Sequence, residues 1–201
     1  VAAHIRAAVP ADCALPVEVH CQDEARFGLK PTQRRRITAC GVKPVGAGQH
    51  GAANTWVDST AAPASGDRFT LILPKRNTPN MQVFIDAFAA AKPLTFNVLL
   101  LDNRAVHTTE RLCLPANVAL GFLPPYSPEL NPVERVWQDV RSRMAWHLFD
   151  DLDALEDALC RQLDHYTPLV VQSVTSDPSL RQAIDAVGPW PHAAKLAECS
   201  N

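Results

Sequence analysis

No apolar run in this sequence approaches the roughly 18–20 residues needed to span a bilayer, and no basic-then-apolar leader opens it. Six cysteines (Cys13, Cys21, Cys40, Cys113, Cys160, Cys199) are scattered without a C-x-x-C pair, so zinc-knuckle spacing is absent. A chain of 201 residues can build its own core without disulfides, and reduced thiols in the cytoplasm are the expectation. Only 8 glycines are present and none form a glycine-rich phosphate loop, which removes the common nucleotide-binding readings. An excess of basic charge is missing too: 19 Lys and Arg stand against 21 Asp and Glu, a net charge of −2. A surface that binds nucleic acid all over is thereby excluded, and any such binding must use local patches. There is no internal repeat, low-complexity tract or visible linker.

What is there is organised around Leu120–Trp146, LGFLPPYSPELNPVERVWQDVRSRMAW. Leu120, Phe122 and Leu123 suit a buried strand, which Pro124 and Pro125 stop because proline has no N–H for the ladder. Tyr126–Leu130 reads as a loop. Asn131-Pro132-Val133-Glu134 reads as a helix start, with Asn at the N-cap, Pro first and Glu third. Val133, Val136, Trp137, Val140 and Met144 then form one apolar helix face. Glu134 is thus either a capping-box carboxylate or a functional one held at a strand–loop–helix junction.

Upstream, Val17–Glu24 alternates strictly, placing Val17, Val19, Cys21 and Asp23 on one strand face. Asp23 ends that apolar side, where a carboxylate needs a turn, a partner or a metal. Ala25–Gly48 reads as loop and carries Arg26, Lys30, Arg34, Arg35, Arg36 and Lys43, either a solvated charged face or phosphate contacts. Asn54–Ser59 and Arg68–Leu73 predict a hairpin, and Thr78-Pro79 opens a helix that Lys92-Pro93 ends. Phe96–Leu101 is a near-continuous apolar run fit for a central strand, ending in Asp102-Asn103 with His107 just beyond. Arg111–Leu114 suggests one helical turn. Asp150 or Asp151 caps a helix with Leu152, Leu155, Leu159 and Leu163 on its core face, and Asp177-Pro178 starts a last one.

Strand–helix–strand order favours parallel pairing with a right-handed crossover. If the strands bearing Asp23 and Asp102 are neighbours, both carboxylates emerge at one sheet edge, with Glu134 leaning over it. Three carboxylates so close repel unless hard cations lie between them. Mg²⁺ suits oxygen-only ligands, and two ions roughly 3.5–4 Å apart activate water and stabilise a leaving oxygen at phosphorus.

These residues resemble the mariner-type DDE transposases of bacterial insertion sequences, in the ribonuclease H-like (retroviral integrase) superfamily. The resemblance spans roughly Glu18–Tyr166. It rests on Gln22-Asp-Glu-Ala-Arg-Phe-Gly28, on Leu101-Asp-Asn103 with His107, and above all on Phe122-Leu-Pro-Pro-Tyr-Ser-Pro-Glu-Leu-Asn-Pro-Val-Glu-Arg-Val-Trp137. It implies an α/β ribonuclease H-like mixed sheet of about five strands flanked by helices. It implies a catalytic and metal-binding triad of Asp23, Asp102 and Glu134, using Mg²⁺ or Mn²⁺, two ions by expectation. It implies cleavage and strand transfer at transposon ends, with end and target DNA as partners and a homodimer as a candidate assembly. His107, Asn103 and Tyr126 are candidate substrate-site residues; Arg34, Arg35, Arg36, Lys43 and Arg135 are candidate DNA-backbone contacts.

The expected division is an N-terminal extension over 1–16, the catalytic domain over 17–166 and a helical extension over 167–201. Three features depart from the family pattern. No helix-turn-helix precedes Glu18, a tryptophan is missing in Thr38–Val42, and Asn54–Ala64 is unusually polar and alanine-rich. The rival readings are a related nuclease without strand transfer and a non-catalytic remnant that binds DNA or a partner. No membrane contact is expected.

Overall fold

Strand β1, Val17–Gly28, continues past Glu24, where the sequence suggested a loop. The reason is tertiary: Ala25 and Phe27 carry the alternation onward and are buried, and their backbone pairs antiparallel with β2, Asn54–Ala61. The computed structural model describes residues 1–30, 38–43, 45, 51–102, 111–124 and 131–186. Strand β3, Arg68–Leu73, completes the predicted hairpin with β2. Strands β4, Phe96–Leu101, and β5, Val118–Phe122, run parallel to β1. The result is a five-stranded mixed sheet in the order β3-β2-β1-β4-β5, the ribonuclease H-like arrangement.

Helix α1, Ala2–Ala8, precedes β1, and its Ile5 is fully buried in the larger core. Helix α2, Thr78–Ala91, is capped by the Asn77 side chain, which accepts from the Asn80 amide at 2.9 Å. Its Phe84, Ile85 and Phe88 cover one face of the sheet with Leu99 and Val118. The other face is covered by α3, Val133–Arg143, and α4, Leu152–Leu163. Two short helices, α5 (Pro168–Thr175) and α6 (Pro178–Asp185), extend that layer, with Val171 and Leu180 in the same core as Val19, Val98 and Trp137. Burying a side chain such as Leu159 or Val140 contributes about 1.5–3 kcal/mol each, which is what holds α3 and α4 against the sheet.

Phe96–Leu101 is buried along its whole length, as a strand covered on both faces must be. Its lone polar residue is satisfied: Asn97 Nδ2 donates to the Thr95 carbonyl at 3.0 Å and to the Asn117 carbonyl at 3.3 Å. Two local expectations fail. Arg111–Leu114 carries no helix. At α3 the N-cap position falls on Pro132, not Asn131, so Glu134 is the second helical residue and not the third. Asn131 is buried instead as a brace, donating to the Gln22 carbonyl at 2.9 Å and accepting from the Val133 amide at 3.2 Å. A capping box is therefore not the reason for a glutamate here.

One glycine has a steric necessity. Gly66, in the β2–β3 turn, has φ +76°, and a Cβ there would lie 2.0 Å from the Pro168 carbonyl oxygen. The hairpin and α5 thus meet backbone to backbone, with Gln172 Nε2 donating to the Ala64 carbonyl at 2.8 Å.

Candidate active site

Register brings the first two carboxylates together. The parallel pairing of β1 and β4 ends at Cys21 opposite Leu100. Continued two residues in the same phase, that register would set Asp23 opposite Asp102, since side chains two apart share a face, and both line one cavity. That face is the one α3 covers, since Val19, Cys21, Val98 and Leu100 all belong to its core. Beyond Leu101 β4 stops while β1 continues beside β2, opening a notch at the carboxyl end of the parallel strands. Crevices at this end of parallel strands are where α/β sheets bind ligands. Asn131 pins the start of α3 to β1 at Gln22, beside Asp23, and this sets Glu134 over the notch.

The three carboxylates line one cavity of about 320 Å³ with Gln22, Glu24 and Arg76. Trp137, Gln138 and Arg141 complete the wall. Burial pushes Asp23 up to about 7, and the negative charges of Glu24, Glu134 and Asp102 push the same way. Asp58, opposite Glu24 on β2, is also raised to about 7, by burial and by Glu24, with Arg76 pulling it down. Gln22 Nε2 donates to Asp58 Oδ1 at 3.3 Å. Arg76 is ion-paired to Glu24 and supplies positive charge at the cavity wall. A polar cavity whose central carboxylate resists ionisation, with oxygen donors from two strands and a helix, fits a hard divalent cation.

Among the described residues, one set of three potential ligand atoms falls within 4.8 Å of one another, and it is Glu18, His20 and Asp67. This cluster lies five residues along β1 from Asp23, roughly 16 Å away at strand spacing. Its carboxylates are already engaged. Lys92 is ion-paired to Asp67 and Ser65 donates to Glu18. His20 Nε2 sits 3.2 Å from Glu18 Oε2, and chiefly through that contact Glu18 is held down to about 2. It ties the start of β1 to the β2–β3 turn and the end of α2.

Of the other candidates, Asn103, His107, Tyr126, Arg34, Arg35 and Arg36 lie outside the described residues. Lys43 is exposed and does not line the cavity. Arg135 is exposed and paired with Asp177 at 3.3 Å. Sequence reasoning missed Glu24, Arg76, Gln138 and Arg141. A signal existed for two of them: Glu134, Trp137, Gln138 and Arg141 are spaced i, i+3, i+4 and i+7, one stripe of α3. Of that stripe Glu134 was read as a triad carboxylate and Trp137 as core, and Gln138 and Arg141 were not read. Arg76 arrives from the β3–α2 connection, which no local pattern links to β1.

Fold and cavity together define an α/β domain of the ribonuclease H-like kind with a carboxylate-lined site at the end of its parallel strands. The chain belongs to the DDE superfamily endonucleases, whose family model matches residues 18–156. It is similar to the uncharacterized protein y4pE/y4sA of Sinorhizobium fredii (strain NBRC 101917 / NGR234), 36% identical over 107 residues, 52% of this chain and 79% of that protein. In fold it is similar to the Mos1 transposase in its paired-end complex with the left transposon end, at 17% identity and a TM-score of 0.60. It is likewise similar to the mariner Mos1 paired-end complex with Mg, at 18% identity and a TM-score of 0.58. Each match covers 85% of this chain and 54% of the other. The chain thus spans about half the length of the solved transposases it resembles, and at such identity the likeness concerns the fold alone. No helix among the described residues is long and apolar enough to cross a membrane.

Proposed function

We propose that this chain is the catalytic core of a mariner-type transposase, hydrolysing a phosphodiester at a transposon end and joining the freed 3′-hydroxyl to target DNA. The observation that carries the reading is the convergence of Asp23, Asp102 and Glu134 on one cavity, with Asp23 held up to about 7 by burial first and by its acidic neighbours second. Asp23 and Asp102 would share Mg²⁺ or Mn²⁺ at the sheet edge, and Glu134 would complete a second site from α3. Bound there, two ions would activate the attacking water or hydroxyl and stabilise the leaving oxygen. The protein's own part is placement. The β1–β4 pairing would hold the two aspartates and the Asn131 brace would hold the glutamate. Arg76 sits where it can oppose phosphate charge. The solved Mos1 complexes with transposon-end DNA, Mg and Mn support DNA and a divalent ion as ligands here too.

Glu134→Gln tests the assignment. The amide keeps shape and hydrogen bonding but not the charge a metal needs, and it relieves repulsion in the empty site. Expected are an unchanged or higher melting temperature without metal and loss of Mn²⁺-dependent nicking of a duplex carrying a transposon end. Wild-type nicking rates in the purified variant would overturn Glu134 as a ligand.

A further inference from the structure

Next to the acidic cavity lies a second groove of about 300 Å³ with the opposite charge. Arg26, Lys30, Arg141 and His147 line it over a floor that includes Phe27 and Met144, and among the described residues no carboxylate does. Arg141 belongs to the walls of both cavities, so the two adjoin. Its guanidinium lies 5.5 Å from the centre of the Phe27 ring, a cation–π contact that holds it against the groove floor. Among the described residues none of Arg26, Lys30 and Arg141 has an ion-pair partner. Arg68, Arg76, Lys92, Arg135 and Arg143 all do, and the other described cations without one, Arg6, Lys43, Lys75, Arg111, Arg161 and Arg181, do not line this groove. In a chain of net charge −2, three cations left without acids in one groove form a local patch suited to a polyanion.

We infer that this groove holds the sugar-phosphate backbone of the DNA strand whose phosphodiester enters the Asp23–Asp102–Glu134 cavity. The inference rests on the function proposed above and gives that site its strand path. Position along α3 sets the scale. Glu134 and Arg141 are seven residues apart, roughly 10 Å at 1.5 Å per residue. A duplex strand rises about 3.4 Å along the helix axis per phosphate, so that distance spans at most about three nucleotides. The groove therefore receives phosphates within about three nucleotides of the reacting bond. Arg141 bridges acid and base, and Arg26 and Lys30 engage the next phosphates along β1. Such contacts hold backbone and read no bases, so the groove positions DNA without choosing its sequence.

The test is the salt dependence of binding in EDTA, read by fluorescence anisotropy of a labelled duplex with the full chain. Arg26→Gln/Lys30→Gln is compared with Arg161→Gln/Arg181→Gln, which removes the same charge from exposed positions outside the groove. Each lost phosphate contact lowers the slope of log K against log salt by about 0.9. The groove variant is expected to lose about 2 from the slope, to bind more weakly at low salt, and to need more DNA for half-maximal nicking. The control is expected to match wild type in all three. An unchanged slope in the groove variant, or an equal loss in the control, overturns the inference. If the wild-type chain nicks no DNA with either metal, the strand-cleavage proposal fails, while the two slopes still decide whether the groove holds backbone.

Discussion

Replacing Asp23 by asparagine tests the electrostatic logic of the cavity without any DNA. Its folded-state value is raised, to about 7, so the proton binds the folded chain more tightly than the unfolded one. The sign follows: this carboxyl destabilises the fold when ionised, and stability falls as pH rises from the usual carboxylate range through about 7. Between about pH 5 and about pH 7.5 the loss integrates to about 2.5 kcal/mol, with a total penalty on the order of 4 kcal/mol at the upper end. Asp58, raised to about 7 as well, contributes a comparable slope that the substitution leaves in place. Asparagine removes the Asp23 share but brings an amide that must find partners, costing about 1–2 kcal/mol. The metal-free variant should therefore be more stable than wild type by about 2 kcal/mol near pH 7.5, or about 4–8 °C in melting temperature for a chain of this length. Near pH 5 the advantage should vanish. Thermal melts in EDTA at both pH values check this, and repeating them with Mn²⁺ should raise the wild type while leaving the variant largely unmoved. Equal melting temperatures at the higher pH, with the wild-type pH dependence intact in the variant, would refute the cluster of like charges.

Gly66→Ala should destabilise the fold by more than about 1 kcal/mol, because φ is +76° and the new methyl meets the Pro168 carbonyl; urea denaturation measures it. Asn131→Ala removes the brace to the Gln22 carbonyl and should cost about 1–3 kcal/mol. It should also weaken the Mn²⁺-induced rise in melting temperature, since Glu134 loses its fixed position. Tyr166→Phe deletes the 2.7 Å hydrogen bond to Asp139 and should cost about 1.5–3 kcal/mol at neutral pH. That bond is the main reason the Asp139 carboxyl lies below its usual range, so stability present at neutral pH is lost as the carboxylate protonates in acid. The cost measured by denaturation should shrink accordingly as pH falls.

Several elements of this protein follow from local pattern alone. The alternation in Val17–Glu24, the all-apolar Phe96–Leu101 and the Pro132-opened stripe of α3 name strand, central strand and helix because each periodicity suits one backbone only. Strand–helix–strand order then fixes parallel pairing, since a right-handed crossover is the common solution. Local pattern could not say that β1 runs on to Gly28, because Ala25 and Phe27 become strand only when β2 pairs with them. It suggested a cap for α3 at Asn131, but not that the same buried side chain, while accepting from the Val133 amide, also bridges to β1. The short helix α5 escaped notice because its docking depends on the bare backbone of Gly66, about a hundred residues away in sequence. The same division holds for the cavity. Asp23, Asp102 and Glu134 stand out in sequence as carboxylates at element ends, but Arg76 and Glu24 reach that wall only through folding. So does the pairing of an acidic cavity with a basic groove across Arg141. Periodicity is a property of neighbours along the chain; charge balance is a property of neighbours in space, and only the tertiary structure decides it.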